Sequence, residues 1–283
     1  MYAESRSLRR CCLAFDQSHS AKSDTGLKRT HNEDRFVADP ELGLYVICDG
    51  MGGNNAGEIA GALAVHAIHA HLAGSARHVD LPLIGPCNFT MSAPANRLAS
   101  AIRAANEVVH RESWKKPDCA GMGTTVVAAL VHEDTLAIAH VGDSRLYLIR
   151  NGEIQSLTID HSWVAEQVLK GFITEEEAQR SPNKHIVTRA LGVENSVEVE
   201  LTEVPVETGD LLLLCSDGLT RAVQPNDILH LLSGSEDLAT MSDRLITMAN
   251  SAGGDDNTTV IIVALGKEVQ EGLWGRLRKR FAA

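Results

Sequence analysis

The sequence predicts an α+β fold in which helices pack outside stacked, mainly antiparallel sheets. Three observations point there. Short apolar runs rich in Val, Ile and Leu recur between turn residues, as strands buried on one or both faces require. Asn151-Gly152 joins two of these runs as a hairpin signal. Helical stretches come as a pair early and a pair late, with strands before, between and after, which argues against a doubly wound parallel sheet.

Residues 42–48 form the first apolar run. An Ala-rich stretch unbroken by Pro, 58–72, reads as a helix. In 96–114, apolar residues at 98, 102, 105, 108 and 109 keep close to the 3.6-residue helical period. Between these helices, 73–94 holds three of the eight prolines and reads as a surface excursion. Strands are predicted over 124–131, 136–141, 146–149 and 154–157, then a capped helix over 162–170. A strand at 211–215, helices over 227–232 and 238–249, and a last strand over 259–265 follow. There is no internal repeat and no long linker.

At 283 residues the chain can bury one large core or two small ones. Its 44% hydrophobic and 22% charged residues suit an ordered globular protein. The net charge of -11, from 37 acidic against 26 basic residues, gives no general affinity for nucleic acid. Six cysteines, at 11, 12, 48, 87, 119 and 215, form no CxxC pair. A zinc ribbon therefore has no support, and a reducing cytoplasm is the expected compartment. No apolar stretch looks long enough for a secretory signal or a transmembrane span. His71 does not align with His66 and His69 on one helix face, so the three read as solvent-facing rather than as a zinc site. The stretch 272–281 is basic and amphipathic. A solvated tail is the simple reading, and weak contact with an anionic membrane surface the functional one.

The informative acids lie at strand ends. Asp49 follows 42–48 directly, Asp143 follows 136–141, Asp217 follows 211–215 with one residue between, and Asp256 precedes 259–265. Any one alone reads as a turn. Four from distant parts of the chain can converge on one cleft, where they repel one another unless a cation neutralises them. Their hard oxygens select Mg²⁺ or Mn²⁺ over zinc or copper. Upstream, Arg29 lies five residues before Asp34, and a guanidinium can grip two phosphate oxygens at once. By itself it reads as part of an ordinary surface ion pair.

Six segments in order carry a family resemblance: Arg29-Thr30-His31-Asn32-Glu33-Asp34, Asp49-Gly50-Met51-Gly52-Gly53, Gly121-Met122-Gly123-Thr124-Thr125, Val141-Gly142-Asp143-Ser144-Arg145, Cys215-Ser216-Asp217-Gly218 and Asp256-Asn257-Thr258-Thr259-Val260. Together they resemble the bacterial metal-dependent protein serine/threonine phosphatases of type 2C, the PPM family. The resemblance implies a four-layer α/β/β/α sandwich, with a catalytic domain over 20–266. Residues 1–19 would be an N-terminal segment able to join the sheet, and 267–283 a basic tail. Two Mn²⁺ or Mg²⁺ ions are implied. Asp49 would bridge both, the Gly50 carbonyl would ligate one, and Asp217 and Asp256 would hold the other. Asp143 would join Asp217 in a weaker third site. Glu33 and Asp34 match acids that order metal-bound water, and Arg29 matches the phosphate-binding arginine. Asp255 neighbours Asp256, but the Asp-Asn-Thr order selects Asp256.

The implied reaction is direct hydrolysis of phosphoserine or phosphothreonine by hydroxide from a water shared between the two cations, without a phosphoenzyme. Met51 stands where some members carry a histidine that protonates the leaving group. Water ordered by Glu33 or Asp34 would have to take that role here, with His161 a weaker candidate. Residues 162–192 resemble the flap that reads the substrate. Phosphorylated proteins, including a Ser/Thr kinase and its targets, are the implied partners, and a cytoplasmic monomer is expected. A catalytically silent regulator of the same fold is the alternative, against which the full set of acids with Arg29 argues.

Overall fold

The computed structural model describes residues 15–52, 56–77 and 81–267. The chain opens with strands β1 (Phe15–Asp24), β2 (Asp34–Asp39) and β3 (Leu44–Met51), followed by helices α1 (Ala56–Arg77) and α2 (Ala93–Lys115). Next come β4 (Gly123–Thr124), β5 (Val126–His132), β6 (Thr135–Val141), β7 (Arg145–Arg150) and β8 (Glu153–Ser156). Two short helices, α3 (Trp163–Leu169) and α4 (Glu175–Arg180), lead to β9 (Glu200–Pro205) and β10 (Leu211–Cys215). Helices α5 (Asp217–Thr220), α6 (Pro225–Leu232) and α7 (Leu238–Ser251) precede the final strand, β11 (Thr258–Lys267).

The strands form two antiparallel sheets, one ordered β1-β11-β10-β7-β8 and the other β2-β3-β5-β6-β9, with β4 paired to β3. Side-chain alternation along each strand explains how they stack. On β3, Leu44, Val46 and Cys48 join α1 and α2 in one core, while Tyr45 and Ile47 enter a second core between the sheets. On β10, Leu212 and Leu214 enter that central core, and Leu213 and Cys215 pack against α6 and α7 in a third. Three cores between four layers give the α/β/β/α sandwich. Because both faces of each sheet are covered, the inner antiparallel strands read as continuous apolar runs. Each buried Val, Ile or Leu contributes about 1.5–3 kcal/mol, so the inner strands are rigid mounts for whatever their ends carry.

The Asn151-Gly152 hairpin forms as expected, with positive φ at both residues (53° and 77°) between β7 and β8. Strands β1, β2 and β9 are additions to the predicted set. All three are edge strands carrying polar side chains, so they leave no apolar run to read. The last five residues of the 1–19 segment belong to β1, which pairs with β11. The basic stretch 272–281 lies outside the described residues.

Two expectations need correction. Helix α1 is long and apolar enough to cross a bilayer by composition. It packs instead on the sheet, with Ala60, Ala64, Ile68 and Leu72 buried against β3 and α2. Small alanines on α1, α2 and the facing strands permit that close approach. Of the α1 histidines, His66 is solvent-facing as expected, but His69 meets Asp39 at 2.8 Å and half-buried His71 meets Ser100 at 3.2 Å.

Candidate active site

The antiparallel registers bring the ends of distant segments to one end of the sandwich. Asp34, at the start of β2, lies directly opposite Asp49 on β3. The end of β10 pairs with the start of β11, Cys215 opposite Val260, which sets Asp217 beside Asp256. Asp143 follows β6 on the same side. Arg29, Glu33, Asp49, Gly50, Asp143, Asp217 and Asp256 all line a single open cleft of about 660 Å³. Asp34 does not line it. It is buried behind Asp49, where its Oδ2 accepts hydrogen bonds from Ser216 Oγ (2.8 Å) and Thr259 Oγ1 (2.7 Å) of the opposite sheet.

The motif residues around these acids act as braces. Asp49 donates its amide to Thr125 Oγ1 at 3.2 Å and accepts at its carbonyl from the Thr124 hydroxyl (2.9 Å) and the Thr125 amide (2.8 Å). Thr125 in turn meets Ser144 at 2.8 Å, tying the Asp49 strand to the Asp143 turn. Arg145 is spent on a bidentate pair with Asp160 (2.8 and 2.8 Å). Asn257 organises the loop before β2. Its Oδ1 accepts from the Glu33 amide (2.8 Å), and its Nδ2 donates to the carbonyls of Thr25 (2.9 Å) and His31 (3.0 Å). Gly50 has a steric reason: a Cβ there would collide with the Gly57 carbonyl of α1.

Charge at the site is unbalanced. Burial, followed by the charges of Asp34, Asp217, Asp143 and Asp256, pushes Asp49 well above the ordinary carboxylate range. Burial, and then Asp143, pushes Asp217 up to about 8 despite its contact with Arg221. Burial likewise lifts Asp34 to about 6, against the hydroxyls that stabilise its charge, and raises Asp143 and Glu33. Two buried oxygens, Asp34 Oδ1 and Asp217 Oδ1, have no hydrogen-bond partner. Orphaned carboxylate oxygens in a crowd of mutually repelling acids fit hard divalent cations.

Positive charge comes from the chain as well. Arg29 Nη2 pairs with Asp256 Oδ2 at 2.9 Å at the cleft mouth. Asp255, also in the cleft lining, pairs with Lys28 at 2.9 Å. The sequence reading missed three cationic or imidazole groups in the lining: Lys184 and His185, from residues 162–192, and Arg221. Arg221 follows Asp217 by four residues, one helical turn, a signal that was legible. Burial, with Arg221 and Lys184 nearby, lowers the His185 pKa. His161, by contrast, is not in the cleft lining. Its Nδ1 accepts the Gly142 amide (3.1 Å), leaving Nε2 to donate to Glu200 (3.0 Å). It stacks on His140, centroids 4.7 Å apart, whose Nε2 donates to the Ile159 carbonyl (2.8 Å). Those ring nitrogens serve the fold.

A family model for protein phosphatase 2C matches residues 27–259. The chain belongs to that family. It is 40% identical over 245 residues to the serine/threonine phosphatase stp of Listeria monocytogenes, covering 86% of this chain and 93% of that protein. Its structure resembles the serine/threonine phosphatase PstP/Ppp of Mycobacterium tuberculosis with a TM-score of 0.77 and 37% identity, over 88% of this chain and 99% of the other. A PstP catalytic domain in complex with two manganese ions has a TM-score of 0.74 and 36% identity, over 88% and 98% of the two chains. This type 2C protein is therefore a metal-dependent serine/threonine phosphatase, and its substrates are phosphoproteins.

Proposed function

We propose that the cleft removes phosphate from phosphoserine and phosphothreonine with two Mn²⁺ or Mg²⁺ ions. Asp49 would be shared between them, the Gly50 carbonyl would serve one, and Asp217 and Asp256 the other. The observation that carries this reading is the convergence of raised, partly orphaned carboxylates beside the half-exposed Arg29. Bound there, the cations supply neutralising charge and acidify water near neutral pH.

The chain's own residues do the rest. Arg29, whose guanidinium stands at the cleft mouth beside Asp256, would grip two phosphate oxygens and align phosphorus. Glu33, held by its amide to Asn257, orders water at the cleft, and Asp34 orients Asp49 from behind. His185 is the one imidazole among the described residues lining the cleft, and in place of the expected water we assign it the return of a proton to the departing serine or threonine oxygen. Residues 162–192 carry substrate recognition, and a Ser/Thr kinase with its targets is the counterpart. The described cysteines are all free, three of them buried, as suits a reducing cytoplasm.

The deciding assay is phosphate release from a phosphothreonine peptide with Mn²⁺, with Mg²⁺ and with EDTA, beside Asp49→Asn. Release that needs metal and disappears in the variant supports the reading. Metal-independent release, or an Asp49→Asn rate near wild type, removes it.

A further inference from the structure

The resemblance implied a third, weaker cation held by Asp143 and Asp217, and the residues present do not fit one. Arg221 stands in that place. Its Nη2 contacts Asp217 Oδ2 and reaches Asp143 Oδ2 at 3.2 Å, while its Nη1 lies 3.6 Å from Asp256 Oδ2. We propose that Arg221 takes the position and charge of the third cation, so that this phosphatase works with two metal ions and a guanidinium built into its chain.

The geometry follows from local sequence. Asp217 starts α5 and Arg221 caps its end, so one helical turn sets the guanidinium over the carboxylate. Across the cleft, Asp143 is fixed by the turn after β6, whose Ser144 is bound to Thr125. A guanidinium cannot lose its proton in a protein, so its charge here is permanent. The carboxylate of Asp217 divides its work. Oδ2 faces Arg221, whereas Oδ1 is buried without a partner and remains available to the paired cations. An ion entering between Asp143 and Asp217 would have to expel Arg221 and break its charge-assisted hydrogen bonds, which weakens binding there on the order of a hundredfold or more. Arg221 is about a quarter exposed, so it borders the cleft rather than lying under it.

The inference rests on the two-metal reading, and counting bound Mn²⁺ separates the two. The full chain, stripped with EDTA and dialysed against Mn²⁺ rising into the millimolar range, is assayed for bound metal per chain. Wild type is expected to stop at two ions. R221A, and R221Q as a variant that keeps the polar stem, are expected to take up a third, lost again when Asp143→Asn is added. Circular dichroism identifies which of the two variants is folded for counting. A third ion in wild type that depends on Asp143, or folded variants that still stop at two, overturns the role of Arg221. No Mn²⁺ bound to wild type would overturn the two-metal reading and this inference with it.

Discussion

Asp49→Asn is expected to stabilise the metal-free protein while destroying its response to metal. Asp34 and Asp49 are directly opposed on β2 and β3, which places their Cβ atoms roughly 5 Å apart. At an effective dielectric of about 20, like charges at that separation repel by about 3 kcal/mol. The pH dependence follows from the raised pKa values. Asp34 and Asp217 move from 3.8 to about 6 and about 8, and Asp49 moves in the same direction. A carboxyl whose folded pKa lies above its unfolded one contributes stability below the unfolded value, and that contribution is lost as pH rises through the folded value. The wild-type apo protein should therefore lose stability between about pH 4 and pH 8, and the asparagine variant should lose less. Near pH 8 the variant escapes about 3 kcal/mol of repulsion. In a chain of this size each kcal/mol moves the midpoint by roughly 2 °C, so the variant should melt about 6 °C higher in EDTA. With Mn²⁺ at about a thousand times its dissociation constant the order reverses, because wild type gains about 4.1 kcal/mol, more than the variant's advantage in EDTA, and the variant has lost its central ligand. Calorimetric scans near pH 5 and near pH 8, with and without Mn²⁺, test each part. An apo variant melting below wild type near pH 8, or an advantage that grows towards pH 5, would refute the reasoning.

Arg29→Ala should lower kcat/KM on phosphopeptide by on the order of 10²-fold or more with the Mn²⁺ count unchanged, since a charged phosphate grip is lost while the ligand acids remain; steady-state kinetics beside metal counting check both halves. Asn257→Ala removes acceptor and donors from three backbone groups. It should cost about 1–3 kcal/mol in denaturant unfolding and lower kcat/KM through the loosened Arg29 loop; unchanged stability would show that the loop holds itself. For His185→Gln, turnover of phosphothreonine peptide should fall on the order of 10²-fold. Hydrolysis of p-nitrophenyl phosphate, whose leaving group needs no proton, should hardly change, and equal losses on both substrates would deny His185 the acid role.

The inner strands were legible because each buries both faces, which writes an unbroken apolar run into the chain. Helix α2 was legible from its 3.6-residue period, and Asp143, Asp217 and Asp256 from their places just beyond strand ends; Asp49, expected just after the first run, lies inside β3, which continues to Met51. Those are local facts, carried by a few consecutive residues. The edge strands β1, β2 and β9 were not legible, since polar side chains on a sheet's edge resemble loop. Partnerships across the chain were hidden for a different reason. Asp34 is 225 residues from Thr259 and 182 from Ser216, yet their hydrogen bonds make it a buried brace rather than a lining acid. Asn257 holds the Glu33 amide across 224 residues. Arg221 reaches Asp143 across 78, and His185 enters the cleft only because its segment folds back over it. The sequence by itself determined which residues could bind metal and phosphate and which runs would carry them. Only the stacking of the two sheets decided which carboxylates crowd together, which oxygens stay orphaned and which cation of the chain answers them, because burial and distance between remote segments set those energies.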